Sequence, residues 1–254
     1  MIVAVDIGNS DIVTGIYEKN TWKEPWRIAS QPVLTAAEYE KKLRLLCLEH
    51  NILSTQIEGI VLSSVVPDLV RPLRDAWQRL TGLEVFVVKA ELLEKIELTI
   101  ANKEEIGTDL VANAVAAYDL FKCGCLVVDF GTALTFTTVN DHKEIIGVSI
   151  APGLKTAIKA LTQNTAKLPE IDLTLPDSAI GKDTVHAIRA GILYGYVGLV
   201  KEMIARTKEE MGRDLKVVAT GGLSKILHPL RPYFDEIQPL LTLQGLLLIY
   251  RAEN

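Results

Sequence analysis

A motif that occurs twice constrains this chain more than any other feature. Ala4-Val5-Asp6-Ile7-Gly8-Asn9-Ser10 is matched, about half the chain later, by Val127-Val128-Asp129-Phe130-Gly131-Thr132-Ala133. Apolar residues come before each Asp and resume after each glycine, so both copies predict a buried strand, a turn and a second strand. One copy alone is equally well explained as an ordinary turn. Two copies in the same arrangement indicate a duplicated strand-turn-strand unit.

The Asp and the Gly of each copy suit the binding of phosphate. A glycine lets the backbone approach a phosphate closely with its N–H groups pointing inward. A carboxylate can hold a cation that neutralises the phosphate. Two such turns facing each other are therefore expected to grip a nucleotide polyphosphate. The other common phosphate-binding motifs, G-x-x-x-x-G-K-[ST] and G-x-G-x-x-G, do not occur in the sequence.

Composition excludes several classes of protein. With 48% hydrophobic residues the chain can bury a sizeable core, and a net charge of −5 provides no basic surface for nucleic acid. The three cysteines fit neither a disulfide framework nor a usual zinc pattern. No secretory signal and no apolar run of about 18 residues is found. We therefore expect a cytoplasmic protein with free thiols that binds neither nucleic acid nor a membrane.

The spacing of apolar residues predicts the same order of elements in both halves of the chain. Strands followed by a helix, a strand and a helix predict a mixed sheet with helices on its faces. Gly191, Gly195 and Gly198 recur on one face of the long helix, which predicts close packing against another helix. The predicted strands are 1–17 (a hairpin), 22–28, 57–63, 85–88, 126–139 (a hairpin), 144–150 and 215–219. The predicted helices are 34–51, 69–80, 107–121, 154–161, 184–210 and 240–250.

Such a duplicated domain resembles the plan of the actin, hexokinase and Hsp70 superfamily. The resemblance rests on the Asp-x-Gly pair and on the late Gly221-Gly222. It implies an α/β fold of two duplicated ribonuclease H-like (actin-like) domains, each a mixed five-stranded sheet flanked by helices, with ATP in the cleft between them. We predict the domains as 1–106 and 107–254, the second carrying the catalytic Asp and the dimer interface. In this plan Gly221-Gly222 approaches the adenosine.

A closer resemblance, along essentially the whole chain, is to the type III pantothenate kinases. It implies phosphorylation of pantothenate by ATP to 4'-phosphopantothenate, the first step of coenzyme A biosynthesis. It also implies a homodimer that requires Mg²⁺ and a monovalent cation, K⁺ or NH₄⁺. The motifs that carry the resemblance are Asp6-Ile-Gly-Asn-Ser10, Gly107-Thr-Asp109, Asp129-Phe-Gly-Thr-Ala133, Pro152-Gly153, Leu168-Pro169, Gly181-Lys-Asp-Thr184, Gly221-Gly222 and Leu243-x-Gly245.

The resemblance assigns roles to individual residues. Asp109 would be the general base that acts on the pantothenate hydroxyl. Asp129 would bind the monovalent cation, and Asp6 would bind Mg²⁺. The residues expected to contact ATP are Asp6, Ile7, Gly8, Asn9, Ser10, Asp11, Ile12, Val13, Thr132, Gly221 and Gly222. Those expected to contact pantothenate are Gly107, Thr108, Asp109, Leu110 and Thr184, the last reaching the partner's site in the dimer.

Two of these residues also have a purely structural interpretation. Asp109 is a plausible N-cap of the helix that follows it, and Thr184 is a plausible N-cap of the long helix. The field of a helix N-terminus stabilises a carboxylate but lowers its basicity. On this view, Asp109 would act mainly by positioning the hydroxyl.

The pantothenate pocket departs from the family pattern. Leu110 stands where the family has Arg, Ile100 where a Tyr is common, and Lys103 where a Pro is common. Losing the Arg removes a bidentate partner for the pantothenate carboxylate, and Lys103, Lys155 or Arg189 could supply the charge instead. Two alternatives to a pantothenate kinase follow: a non-catalytic regulatory relative, or a kinase of another small alcohol.

Overall fold

The computed structural model describes residues 1–89, 99–100, 106–163, 172–222 and 228–253. Within these ranges the chain forms strands and helices in nearly the predicted order. The strands are β1 (Ile2–Ile7), β2 (Asp11–Glu18), β3 (Thr21–Trp22), β4 (Trp26–Ala29), β5 (Gly59–Ser64), β6 (Phe86–Val87), β7 (Thr99–Ile100), β8 (Cys125–Phe130), β9 (Ala133–Val139), β10 (Glu144–Pro152), β11 (Lys216–Thr220) and β12 (Glu236–Ile237). The helices are α1 (Ala36–Glu49), α2 (Pro67–Thr81), α3 (Thr108–Phe121), α4 (Leu154–Gln163), α5 (Thr184–Glu210) and α6 (Leu241–Glu253).

Three features of the strands differ from the sequence prediction. The single strand predicted for 22–28 is two short strands, β3 and β4, and both pair with β2. Pro25 lies between them and has no backbone N–H to donate to a ladder. The strands β7 and β12 were not predicted, because two residues are too short to show a periodic pattern.

The chain divides into two compact units, residues 1–116 with 241–254 and residues 117–240. In the first unit the sheet runs β3-β2-β1-β5-β6, with β4 also on β2. β1 is antiparallel to β2 and parallel to β5. Val3, Val5 and Ile7 of β1 share a buried core with α1 and α2. The capping box of Thr35 and Glu38 begins α1.

The second unit repeats this plan. Its strands run β12-β11-β8-β9-β10, with β8 antiparallel to β9 and parallel to β11. The long helix α5 packs Leu193, Val197 and Val200 into one core with the strands. The duplicated α/β fold of two mixed sheets flanked by helices is therefore confirmed, and each sheet has six strands where the sequence predicted five.

The last helix, α6, packs with the first unit although it ends the chain. The indole Nε1 of Trp22 donates to Oε1 of Gln244 at 2.9 Å, and the Thr242 hydroxyl donates to Oδ1 of Asn113 at 2.8 Å. A division by packing thus places α6 and residues 107–116 with the first unit. The domain boundary after residue 106 stays a prediction.

The three cysteines are free thiols, and burial raises the pKa of Cys125 to about 12. Among the described residues, no helix is long and apolar enough to span a lipid bilayer.

Gly245 of α6 tests the packing of this helix. A Cβ at this position would collide with the carbonyl oxygen of Ala112 in α3. Because backbone atoms cannot rotate away, we expect Gly245→Ala to lower the free energy of unfolding by about 2 kcal/mol or more. Urea denaturation measures the change. Gly147→Ala is the control, since its Cβ would meet no atom within 4 Å, and an equal effect of both substitutions would contradict the packing.

Candidate active site

The first Asp-Gly turn connects β1 to β2. The backbone N–H of Gly8 donates to the carbonyl oxygen of Asp11 at 3.0 Å, which closes the turn. Ser30 contacts the turn at two points. Its hydroxyl donates to the carbonyl oxygen of Gly8 at 2.6 Å, and its backbone N–H donates to the carbonyl oxygen of Ser10 at 2.9 Å. The turn is therefore fixed by backbone contacts, which leaves the side chains of Asn9, Ser10 and Asp11 exposed.

Not every residue of the predicted phosphate loop offers a side chain to a ligand. Ile7 and Ile12 are buried in the core of the first unit, and Val13 is partly buried. In the structure, a contact from Ile7 or Ile12 to a phosphate can come only from the backbone. Asp6 lies within β1, opposite Val13 of β2 and next to Ser63 of the parallel strand β5.

The second Asp-Gly turn connects β8 to β9 in the second unit. The N–H of Gly131 donates to the carbonyl oxygen of Ala133 at 3.1 Å. The carbonyl oxygen of Thr132 accepts from the N–H of Gly153 at 3.0 Å and from the hydroxyl of Thr156 at 2.8 Å. A Cβ on Gly153 would collide with this turn. The segment that begins α4 is therefore packed against the turn, with the Thr132 side chain exposed.

Gly221 lies beside Asp129 in the same unit. Thr220 is the β11 partner of Asp129, and Gly221 follows with φ +88. A Cβ there would lie 2.6 Å from Oδ1 of Asp129 and 2.6 Å from the carbonyl oxygen of Phe130. Only glycine combines this conformation with so close an approach. Asp129, Thr132, Gly153 and Gly221 thus form one cluster at the carboxyl ends of β8 and β11.

Asp109 lies inside the first turn of α3, which begins at Thr108. The interpretation of Asp109 as the N-cap was wrong, because the helix starts one residue earlier. Oδ1 of Asp109 accepts from the N–H of Leu110 at 2.8 Å. The carboxylate also folds back over Gly107, where a Cβ would collide with it. Asp109 therefore has a defined position at the start of the helix.

Burial sets the basicity of Asp109. Removal of its carboxylate from water raises the pKa of Asp109 above the ordinary value, and the hydrogen bonds from backbone N–H groups offset this only in part. The sequence argument expected the helix terminus to lower the basicity. The net direction is the opposite one, because desolvation outweighs the backbone donors.

A pair of hydroxyl groups joins the start of α3 to the sheet of the first unit. Oγ of Ser63 lies 2.8 Å from Oγ1 of Thr108. Ser63 is aligned with Asp6, and paired residues of parallel strands project on the same face. The structure therefore brings Asp6 and the Gly107–Leu110 segment to one region of the first unit. Sequence reasoning missed Ser63, although a serine that ends a buried strand was a visible signal.

Thr184 is not joined to either cluster by a hydrogen bond among the described residues. It is exposed at the first position of α5. The N-cap is Asp183, whose side chain accepts from the N–H of His186 at 2.9 Å, so the N-cap interpretation of Thr184 was wrong.

The sequence offered Lys103, Lys155 and Arg189 as residues that could replace the positive charge of the missing Arg in the pantothenate pocket. Leu110 is buried. Arg189 forms an ion pair with Asp172, so its charge is already matched. Lys155 is exposed at the start of α4, one residue before Thr156. Lys103 and the Leu168-Pro169 motif lie outside the described residues, as does the side chain of Ile100.

The two clusters offer hard oxygen donors. Among the described residues, no group of three or more His, Cys, Asp or Glu side chains is arranged to hold a metal. Asp6 and Asp129 instead supply single carboxylates next to turns rich in carbonyl and hydroxyl oxygens. Such oxygen donors fit Mg²⁺, which usually keeps several waters and shares its ligands with substrate phosphates. The donor chemistry therefore fits the implied cations.

The cavity of about 200 Å³ in the second unit contains none of the predicted site residues. It is lined by Phe136, Thr138, Ile146, Gly147, Val148, Ser149, Thr207, Glu210 and Met211. Side-chain chemistry, and not cavity volume, locates the candidate site.

The chain also matches a known protein family and curated relatives. The family model for type III pantothenate kinase matches residues 2–206. The chain is 40% identical to the type III pantothenate kinase of Moorella thermoacetica and 39% identical to that of Exiguobacterium sibiricum, each over 100% of both chains.

Solved structures share the fold at lower identity. A protein of Campylobacter jejuni described as a Baf family transcriptional activator superposes with a TM-score of 0.60 at 20% identity, over 99% of this chain and 98% of that one. The activator of 2-hydroxyisocaproyl-CoA dehydratase from Clostridium difficile, with bound ADPNP, superposes with a TM-score of 0.53 at 10% identity, over 99% and 95%. At these identities the likeness concerns the fold alone.

Proposed function

Since this chain belongs to the type III pantothenate kinase family, we propose which role the residues of each of its two clusters have in that family's reaction. The chain is a pantothenate kinase, which uses ATP to form 4'-phosphopantothenate in the first step of coenzyme A biosynthesis. The regulatory alternative is not favoured, because the full-length relatives near 40% identity are named as kinases. The observation that carries the division is the partly buried carboxylate of Asp109, whose pKa is raised, at the start of a helix that contacts Ser63, the partner of Asp6 in the sheet.

Asp109 is the general base. The primary hydroxyl of pantothenate attacks the γ-phosphorus of ATP, the new O–P bond forms, and the bond to the β,γ-bridging oxygen breaks as ADP leaves. The hydroxyl proton passes to Asp109. In a loose transition state this proton moves late, so placement of the hydroxyl matters most. The raised pKa of Asp109 adds to its ability to accept the proton.

The two Asp-Gly turns hold the phosphates of ATP. The first turn, 6–13, offers backbone groups with Asn9 and Ser10, and the second offers Thr132. Asp6 is suited to Mg²⁺, and Asp129, with Gly221 against it, is suited to a monovalent cation, K⁺ or NH₄⁺. When bound, these cations would neutralise the charge of the transferred phosphoryl group. Gly221 and Gly222 approach the adenosine.

Pantothenate is bound by the Gly107–Leu110 segment and by Thr184. The Thr184 side chain is exposed, and Asp183 caps the N-terminus of α5. The hydroxyl of Thr184 is therefore available to a ligand. We assign the pantothenate carboxylate to Lys155, which is exposed, because Arg189 is already paired with Asp172. A lysine provides a point charge in place of the bidentate contact of an arginine.

A homodimer forms through the exposed glycine face of α5. Gly191, Gly195 and Gly198 lie on one side of the helix, and a Cβ at any of them would meet no atom within 4 Å. Among the described residues, no other helix of the same chain packs against this face. A face of glycines allows the backbone of a second helix to come close.

Replacement of Asp109 tests the assignment of the base. We expect Asp109→Asn to lower kcat by at least about 100-fold while ATP still binds, since a general base contributes 10²–10⁴-fold. In the unsubstituted enzyme kcat should fall as pH drops through the raised pKa of Asp109, above the ordinary Asp range. Coupled ADP release with and without pantothenate measures both effects. Pantothenate-dependent turnover by Asp109→Asn at the original rate would contradict the assignment.

Asp109→Asn should also stabilise the protein at neutral pH. The folded state binds the proton of Asp109 more tightly than the unfolded chain, so stability falls as pH rises through the unfolded and then the folded pKa. Removing the charge eliminates this loss while Asn can still accept from the N–H of Leu110. Thermal unfolding should therefore show a gain at pH 8 that shrinks as the pH falls toward 3.8, the ordinary pKa of Asp. A gain independent of pH would contradict this explanation.

Gly221→Ala tests the cation site at Asp129. The new Cβ would press on Oδ1 of Asp129, so we expect a weaker response to K⁺ in both turnover and thermal stability. Gly212→Ala is a matched control, because Gly212 also has a positive φ of 62 but no atom within 4 Å of a Cβ. Both substitutions carry backbone strain of about 1 kcal/mol. If K⁺ dependence changes equally in both, Asp129 is not the cation ligand.

A bulky residue on the glycine face tests the dimer. Gly195→Trp adds a side chain into open space of the single chain, so the fold should persist while the dimer dissociates. Light scattering at micromolar concentration measures the mass. Lys42→Trp, on the exposed side of α1, is the control and should leave the dimer intact. A Gly195→Trp protein that remains dimeric would rule out this face as the interface.

A further inference from the structure

We propose that Ser63 is a positioning residue for catalysis, which holds the start of α3 so that Asp109 keeps its place. The inference rests on the proposed role of Asp109 as the base. The observation behind it is the contact of 2.8 Å between the hydroxyls of Ser63 and Thr108.

Ser63 is held rigidly by the sheet. It lies near the end of β5, which is paired on one side with β1 and on the other with β6. Its side chain is fully buried, with 0% of its surface exposed. A buried hydroxyl on a doubly paired strand has a fixed position, and a partner is needed to avoid the cost of an unsatisfied polar group. That partner is Thr108.

Ser63 also faces the reacting side of the sheet. Ile60 and Leu62 of β5 point into the core formed with α1 and α2. Because side chains alternate along a strand, Ser63 points to the opposite face, together with its neighbour in register, Asp6. Asp6, the proposed Mg²⁺ ligand, therefore lies next to Ser63, which contacts the helix that carries the proposed base.

Thr108 links Ser63 to Asp109. It is the first residue of α3, and its hydroxyl has a second and longer contact, 3.4 Å, with the carbonyl oxygen of Ser64. Asp109 follows directly, and its Oδ1 accepts from the backbone N–H of Leu110 in the first turn of the helix. The position of the Asp109 carboxylate therefore follows the position of the helix start.

The neighbouring serine provides a matched control. The hydroxyl of Ser64 donates to the carbonyl oxygen of Val66 and accepts from its N–H, both at 2.9 Å. It thus shapes the turn before Pro67 and makes no contact with Thr108 through its side chain. Ser64→Ala removes a hydroxyl one residue away and leaves the contact between Ser63 and Thr108 intact.

The experiment compares Ser63→Ala, Ser64→Ala and Asp109→Asn in the full-length enzyme. It measures kcat, the KM values for ATP and pantothenate, and the dependence of kcat on pH. We expect Ser63→Ala to lower kcat about tenfold or more with both KM values within about twofold, since small misplacements of a catalytic group cost up to 100-fold. The acid limb should move to lower pH, because a looser helix start admits water to Asp109. Ser64→Ala should change neither kcat nor the acid limb.

Several outcomes separate this inference from the proposed function. Unchanged kcat and pH dependence in Ser63→Ala, with Asp109→Asn inactive, would overturn the positioning role alone. Equal losses in Ser63→Ala and Ser64→Ala would also overturn it, because they would indicate general destabilisation. An active Asp109→Asn enzyme would overturn the assignment of the base, and the positioning role with it.

A second pair of variants keeps the test valid if Ser63→Ala does not fold. Thr108→Val removes the other hydroxyl at nearly constant shape, whereas Thr108→Ser keeps it. We expect the shifted acid limb in Thr108→Val only, and a larger loss of kcat in Thr108→Val than in Thr108→Ser, which keeps the hydroxyl that contacts Ser63. Since the two hydroxyls act as one contact, the double variant Ser63→Ala/Thr108→Val should lose no more than either single variant. Additive losses would contradict the contact.

Discussion

The parallel pairing of one Asp-bearing strand with a later strand is the constraint on which the rest of the structure depends. In the first unit β1 pairs with β5, and in the second β8 pairs with β11. Parallel strands bring their carboxyl ends to one edge of a sheet. Both units therefore collect a carboxylate, a glycine turn and a hydroxyl residue at that edge, with Ser63 beside Asp6 and Thr220 beside Asp129.

Close backbone approach is the second requirement, and it is met by particular glycines. Gly221 lies against Asp129, and Gly153 lies against the Thr132 turn. Gly195 of α5 faces open space instead. Glycine thus has two different surroundings in this structure: tight packing in the cluster around Asp129, and an exposed helix face, which we propose as the dimer interface. Only the surroundings distinguish these uses.

The chemistry of Asp109 follows from a balance between two opposing effects. Backbone N–H groups at the start of α3 favour the charged carboxylate, and burial disfavours it. Burial is the larger effect, which makes this carboxylate a better base but a less stable anion in the folded protein. A fold that keeps such a group must hold it firmly, and the contact between Ser63 and Thr108 provides a physical means of doing so.

Much of the architecture could be read from the sequence. Alternating and helical spacing located α5 at its observed ends and most other elements within a few residues, because these patterns report which face of each element is buried. The short strand β12 and the break between β3 and β4 were not predicted, since two-residue strands have no period to detect.

The candidate site, too, could be predicted only in part from the sequence. The repeated Asp-x-Gly motif marked Asp6 and Asp129, because a turn that follows a buried strand depends on local residue types. The partners of those residues came from distant parts of the chain: Thr108 from α3, Gly153 from the start of α4, and Gly221 from the end of β11. The sequence by itself therefore determined which residues could bind phosphate and accept a proton. The tertiary structure decided which of them meet and how basic Asp109 is, because register and burial arise only when distant strands and helices pack together.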